Sequence, residues 1–397
     1  MTFLKLEKKQ LLVLFLLVFQ IGFSQDKILF VYDKTTNLPI ENANIFYPNL
    51  NEGTFTNSEG KASIYIRNSD LKISSIGFED EILDMNKKKT LDTIFLKPTI
   101  VQLDEIVVKS FNLNKALQYV LDKYDELYAN TPFEKECNFK ETVIVDNQLK
   151  RLILAKVNWW DKKYELQKKS DIKLRLGAID YNKNIPLNIF IDVPRINENK
   201  SGYVVPNSLV STIYLNSLLS NFIKNTKNLS SKVEESSPDQ IAVSFESEWA
   251  IINDVSSRSI GKFVFDKNSR AILDFINTIE YRNKLTKGIV KENQKESINE
   301  TKKSYMRLTF YKIPNDKWTL KSFESNVEGS ISYDNKTHPS VFGNSIYVLK
   351  ETSINKVNND GLIDLSKPIY QSLPAKTITS TNSILLNKEE SDFVENK

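Results

Sequence analysis

Short runs of β-branched and aromatic residues, each closed by a turn former, dominate the first hundred positions. Residues 28–32 (Ile-Leu-Phe-Val-Tyr) read as a strand and 33–37 (Asp-Lys-Thr-Thr-Asn) as a turn. Pro39 fixes φ ahead of a second strand at 43–47. Gly53 and Gly60 bracket a hairpin-like passage that returns along 63–67, and 71–76 and 91–96 complete six or seven short strands. Turn signals roughly every 8–12 residues predict a small sandwich.

The pattern changes at residue 113. Leu113, Ala116, Leu117, Val120, Leu121, Tyr124, Leu127 and Tyr128 recur at helical spacing and form one apolar stripe. Asn112 or Asn114 can cap its start, and Asn130-Thr131-Pro132 stops it. Beyond it, period-two alternation returns. Ile241, Val243, Phe245, Trp249 and Ile251 share one face. Segments 261–265 and 271–281 predict a hairpin across 266–269. Met306, Leu308 and Phe310 face one side of 305–311, and 318–323 and 345–350 add strands. One buried and one wet face per strand predicts a curved antiparallel sheet, half-open and barrel-like. A helix pattern at 209–223 suits its concave side. Residues 284–304 lack periodicity and predict a long mobile loop, and 377–397 a frayed polar tail.

The first 24 residues change the picture of where the chain works. Lys5, Lys8 and Lys9 lead an apolar run at 11–19, and Gly22-Phe23-Ser24 offers a cleavage site. Nine apolar residues fall short of the roughly 20 that cross a bilayer. The reading is a cleaved signal peptide, with an uncleaved anchor as the alternative. Of 54 basic and 50 acidic residues the leader holds three and one, so the mature chain has a net charge of +2. That balance offers no general attraction for nucleic acid. The single Cys137 cannot form an internal disulfide and reads as a small buried apolar residue.

Three phrases in the first region carry a resemblance. Pro39-Ile40-Glu41-Asn42-Ala43-Asn44-Ile45, Gly53-Thr54-Phe55-Thr56-Asn57-Ser58-Glu59-Gly60 and Leu71-Lys72-Ile73-Ser74-Ser75-Ile76-Gly77-Phe78 resemble, in order and spacing, the carboxypeptidase regulatory-like (prealbumin-like) domain of exported Bacteroidetes proteins. Asn42 stands where that family usually has Gly, a substitution Asn tolerates because it enters the left-handed region. Asn57 replaces Asp, Ala62 an aromatic residue and Phe78 Tyr. The resemblance covers 28–108 and implies an accessory β-sandwich, not a peptidase. A zinc peptidase site needs His ligands, and His338 is the only His. Leu103-Asp104-Glu105-Ile106-Val107-Val108 looks like the phrase that joins this module to the plug of TonB-dependent receptors; a last strand or extended linker is the other reading. Only 289 residues follow Val108, too few for a 22-stranded barrel at ~10 residues per strand plus a plug. Lys-rich strands such as 162–176 would also break the lipid-facing band of a smaller barrel.

Candidate chemistry is sparse. Adjacent Trp159 and Trp160 sit in a strand-like run, so their rings point to opposite faces. One packs in a core. The other is either covered or free as a platform for a sugar ring or an apolar partner, with Tyr164 and Tyr181 as possible neighbours. Asp33, Asp92 and Asp104 read as turn residues, and His338 before Pro339 as a solvated loop residue. No phosphate-binding loop, metal-ligand spacing or nucleophile elbow occurs. The expectation is no catalytic residue, no cofactor and no metal.

The expected organisation is a signal peptide (1–24), the sandwich (25–98), a linker strand and amphipathic helix (99–131), an antiparallel β domain (132–376) and a polar tail (377–397). The expected role is an exported binding or assembly module of the cell envelope, in the periplasm or at the periplasmic face of the outer membrane. Its partner would be an envelope protein, glycan or lipid. The alternatives are a lipid- or lipoprotein-binding cavity protein and a glycan hydrolase with paired carboxylates.

Overall fold

A computed structural model describes residues 26–50, 52–75, 78–87, 92–98, 111–167, 172–184, 212–236, 239–289, 296–364 and 385–395. Residues 1–24, where a signal peptide is expected, the 103–108 phrase with Asp104, and much of the 377–397 tail lie outside these residues.

The N-terminal strands are β1 (Asp26–Asp33), β2 (Asn44–Tyr47), β3 (Glu52–Phe55), β4 (Lys61–Tyr65), β5 (Asp70–Ser74), β6 (Glu81–Asp84) and β7 (Thr93–Leu96). They form a three-stranded sheet in the order β4-β1-β7 and a four-stranded sheet in the order β3-β2-β5-β6. Their inner faces share one core in which Leu29, Val31, Ile45, Leu71 and Ile73 are fully buried. The turn chemistry follows the sequence. Asn42 is left-handed at φ 58°, so amide replaces glycine there at little conformational cost. Gly60 has φ +71°, and a Cβ on it would lie 2.6 Å from the Val31 carbonyl oxygen. Asn57 Oδ1 accepts from the backbone N–H of Glu59 and Lys61, the role a turn Asp would fill.

Asn112 caps helix α1 (Leu113–Asp122) by accepting from the Lys115 N–H at 3.0 Å. A short α2 (Tyr124–Leu127) follows. The remaining strands are β8 (Phe133–Val145), β9 (Gln148–Asp161), β10 (Lys173–Asn184), β11 (Leu229–Ser236), β12 (Gln240–Ser247), β13 (Ala250–Ile252), β14 (Val255–Asp266), β15 (Ile272–Arg282), β16 (Leu285–Ile289), β17 (Glu296–Lys312), β18 (Trp318–Tyr333) and β19 (Lys336–Thr352). They build one 12-stranded antiparallel sheet, ordered β10-β9-β8-β19-β18-β17-β15-β14-β12-β11, with β13 on β14 and β16 on β17. The sheet does not close: β10 and β11 are its edges.

It does curl. Helix α3 (Leu215–Asn225) carries Phe222, whose ring meets Phe245 of β12 at 5.0 Å. Tyr214, just before α3, meets Trp159 of β9 at 5.5 Å. These strands are seven steps apart in the sheet order, about 34 Å if flat at ~4.8 Å per step. Tyr214 and Phe222 differ by about 12 Å along a helix axis. Only a sheet wrapped around the helices satisfies both contacts. Shifts in strand register, such as Thr309/Phe310 on β17 and Val348/Lys350 between β19 and β8, supply part of the bend. The concave side is filled by α1 and α3, with Leu117, Val120, Leu215 and Leu219 fully buried against the strands.

Four expectations need correction. Residues 284–304 are largely paired: β16 lies on β17, and a hairpin replaces the long loop. Most of β17's first half is half-exposed, so no apolar alternation marked it. The tail is not frayed throughout, because Lys388–Glu395 form helix α4. His338 is paired within β19 rather than in a solvated loop; its Nδ1 lies 2.8 Å from Asp146 Oδ2 and its ring stacks on Tyr333. Of the Lys-rich stretch 162–176, only Lys173 onward belongs to a strand among the described residues.

Candidate functional site

Trp159, Trp160 and Tyr164 present no surface. Their exposures are 0%, 3% and 0%. Trp159 Nε1 donates to Tyr214 Oη at 3.2 Å, and that hydroxyl donates to Asp161 Oδ2 at 2.5 Å. Tyr164 Oη donates to the Ile213 carbonyl at 2.6 Å. On the opposite face Trp160 Nε1 donates to the Ile354 carbonyl at 2.8 Å, with the Lys173 ammonium over its ring. β9 is covered on both faces, by α3 and its lead-in on one side and by the chain after β19 on the other. The platform expected from sequence is therefore a packed core feature. Tyr181 packs near Leu149, Leu152 and Leu154 instead, away from the Trp159 side. Cys137 is fully buried, and burial pushes its thiol up to about 12, which makes it inert.

An open concavity lies elsewhere among the described residues, where the sandwich, the outer side of β8, β18 and β19, and α4 meet. Two adjoining cavities of about 200 and 70 Å³ share Glu41, Asn42, Lys140, Tyr347 and Asn387 in their walls. These are below the ~300–1,000 Å³ of a drug-sized pocket, so the cleft takes one ring or one side chain at a time. Its walls are amides, hydroxyls and carboxylates, with the Phe55 and Tyr347 rings 4.6 Å apart at one end.

Each wall has a local cause. Asn42 is held out by its left-handed backbone. Tyr347 Oη lies 2.9 Å from Asn42 Oδ1 and 2.8 Å from Glu324 Oε1, so one hydroxyl links the sandwich to β18. The third wall begins with a capping box: Asn387 Oδ1 accepts from the Glu390 N–H at 2.9 Å, and Glu390 Oε2 accepts from the Asn387 N–H at 3.1 Å. Glu390 also pairs with Lys140. Lys388 N–H donates to Glu59 Oε1 at 3.3 Å, which ties α4 to the sandwich. Leu386, Phe393 and Val394 cover Ile144, Leu149, Leu152 and Leu154.

Glu324 is the perturbed group of the cleft. Burial pushes its carboxyl up; Tyr347 and Arg307 oppose, while Glu41 and Asp274 add to the rise. Arg307 is itself committed to Asp274 in a bidentate pair at 3.2 Å. Beneath the cleft a second cluster seats the sandwich. Lys321 is the extra residue at a bulge of β18, 4% exposed, with its ammonium 3.9 Å from the Phe46 ring centroid and 5.4 Å from those of Phe55 and Tyr311. Lys135 nearby donates to Thr319 Oγ1 at 2.7 Å and pairs with Glu351, which also accepts from Tyr311 Oη.

Sequence reading missed the cleft residues. Only the Asn387-x-x-Glu390 spacing was available as a signal; the rest depends on distant pairings, such as Tyr347 with Asn42, 305 positions away, and β19 with β8, which sets Ser345 opposite Lys140. Among the described residues, no group of three or more His, Cys, Asp or Glu is placed to hold a metal ion.

Comparison with known proteins identifies one segment. Residues 30–108 match the model of the CarboxypepD_reg-like domain, so an accessory sandwich of that kind occupies the N-terminal part. No curated protein matches the chain. Among solved structures, that of OccK5 (OpdH) from Pseudomonas aeruginosa aligns at 8% identity over 56% of this chain and 99% of that one, with a TM-score of 0.13.

Proposed function

We propose that this chain is an exported, non-catalytic binding or assembly module of the bacterial cell envelope, acting in the periplasm or at the periplasmic face of the outer membrane. The cleft between sandwich, sheet and α4 is its ligand seat. The observation that carries this reading is the make-up of that cleft: three segments far apart in sequence converge on a polar concavity walled by Asn42, Lys140, Glu324, Tyr347 and Asn387. Amides and carboxylates beside the half-buried Phe55 and Tyr347 rings suit a polyol or a polar side chain, which they can bond from several directions. The concave side of the sheet, where an acyl chain would have to lie, is occupied by α1 and α3.

The test is equilibrium binding of the purified chain to isolated outer membranes and to purified envelope glycan. Saturable binding that falls at least tenfold in Tyr347→Phe and in Asn42→Gly, which keeps the left-handed turn, supports the reading. Binding to neither material, or binding indifferent to both substitutions, overturns it. The raised Glu324 carboxyl beside Glu41 is what keeps a glycan hydrolase as the second reading. Product release from a glycan by the wild type, lost in Glu324→Gln, would establish that reading instead.

A further inference from the structure

We propose that the end of the large sheet formed by the β13–β14 hairpin, β16 and the start of β17 is a contact surface for an anionic phospholipid bilayer. Four large aliphatic side chains stand exposed there: Ile251 at 72%, Leu285 at 57%, and Ile252 and Ile298 at 44% each. They cluster at one end because the register puts them there. Ile251 faces Ser256, which faces Arg282 on the next strand, and Ile298 faces Lys287. Exposed apolar clusters of this kind mark interaction sites.

The chemistry around them selects the partner. The Arg282 guanidinium lies 3.8 Å from the Trp249 ring centroid, and the Lys284 ammonium 3.6 Å from that of Tyr281. Arg258, also over Trp249, is already matched to Glu246 and Glu280. Arg282, Lys284 and Lys287 have no carboxylate partner among the described residues; of the acids on the same end, Glu300, opposite Leu285, is matched by Lys302 at 3.6 Å, leaving Asp254 at the hairpin tip and Glu296 at the start of β17. Exposed aliphatic side chains beside an indole and a phenol with cations laid over them are the features of a bilayer interface. The aliphatic side chains enter the acyl boundary, the rings sit among headgroups, and the cations meet phosphate. The near-neutral charge of the whole chain does not oppose this, since the attraction acts within a Debye length of the tip.

The surface is independent of the cleft. The test is co-sedimentation of the full chain with vesicles of phosphatidylcholine alone and of phosphatidylcholine with phosphatidylglycerol. The wild type should bind the anionic vesicles and release them as salt rises. At ~1 kcal/mol per cation, or about fivefold, the combined Arg282→Ser, Lys284→Ser and Lys287→Ser variant should bind about a hundredfold more weakly. Ile251→Ser with Ile252→Ser should also lose most of the binding, and both variants should keep the wild-type melting temperature. Glu324→Gln should bind vesicles as the wild type does, so a failed cleft leaves this result standing. No binding to anionic vesicles, equal binding to both vesicle types, or binding unaffected by either tip variant overturns the proposal.

Discussion

Replacing Lys321 by Met should stabilise the protein near neutral pH and lose that advantage as pH rises. The lysine is 4% exposed, faces three rings, and has no carboxylate partner among the described residues. Burial, aided by the Lys135 charge, pulls its pKa from 10.5 down to about 7. In the unfolded chain the amine keeps its ordinary value, so between pH 7 and 10.5 the unfolded state binds a proton that the folded state does not. Stability therefore rises with pH across that window. Below pH 7 the full burden applies, about 5 kcal/mol from a shift of this size at ~1.36 kcal/mol per unit. Cation–π contact with Phe46 and its neighbours offsets ~1–2 kcal/mol of it in the charged form. Lys321→Met fills similar volume without charge, so it should gain about 3–4 kcal/mol at pH 6. The gain should shrink to about zero by pH 10. Urea denaturation of both proteins at pH 6, 8 and 10, followed by tryptophan fluorescence, reads the difference. A difference that stays constant from pH 6 to 10, or a Met variant less stable at pH 6, would show that burial does not burden the Lys321 charge.

Other substitutions test separate parts of the fold. Tyr128 Oη accepts from the Ile272 N–H at 2.9 Å and donates to the Ile272 carbonyl at 3.1 Å, so Tyr128→Phe leaves two buried groups unpaired and should cost ~1–3 kcal/mol by denaturant titration. Asn387→Ala removes one arm of the α4 capping box. About 1 kcal/mol of local stability should be lost, seen as faster amide exchange in 388–395 with an unchanged melting temperature. A Cβ on Gly261 would lie 2.0 Å from the Ile276 carbonyl oxygen and 2.6 Å from the Phe245 ring, so Gly261→Ala should destabilise by at least ~1–3 kcal/mol in thermal unfolding.

Local chemistry was legible in the sequence where a segment decides its own conformation. The phrases around Asn42, Asn57 and Gly60 gave the sandwich because each is a turn whose backbone needs those residue types, and Asn42 adopts the left-handed geometry its substitution for Gly implied. The helical stripe from Leu113 and the hairpin across 266–269 were likewise readable, since one face of each is dry. Patterns failed where neither face is dry, as in β16 and the start of β17, or where a short helix draws its stability from the sheet beneath it. α4 is eight residues long, and isolated helices below ~12 residues are marginal. Its capping box was in the sequence, but its docking on Leu149, Leu152 and Leu154 was not. The tryptophan pair illustrates the remaining limit. Alternation correctly put Trp159 and Trp160 on opposite faces, yet it says nothing about what lies over the second face. The cleft was invisible for the same reason: Asn42 and Tyr347 are 305 positions apart.

The central claim is that the cleft seats a ligand. A photoreactive benzoylphenylalanine at Glu389, exposed on the α4 rim of the cleft, and one at Asp316, on the exposed β17–β18 turn, separate that claim from general stickiness when the two proteins are irradiated with isolated outer membranes and with purified envelope glycan. A saturable adduct is expected from Glu389 only, abolished by adding Asn42→Gly, which removes the amide and keeps the left-handed turn. Adducts equal at both positions, or none at Glu389 with either material, would contradict the claim.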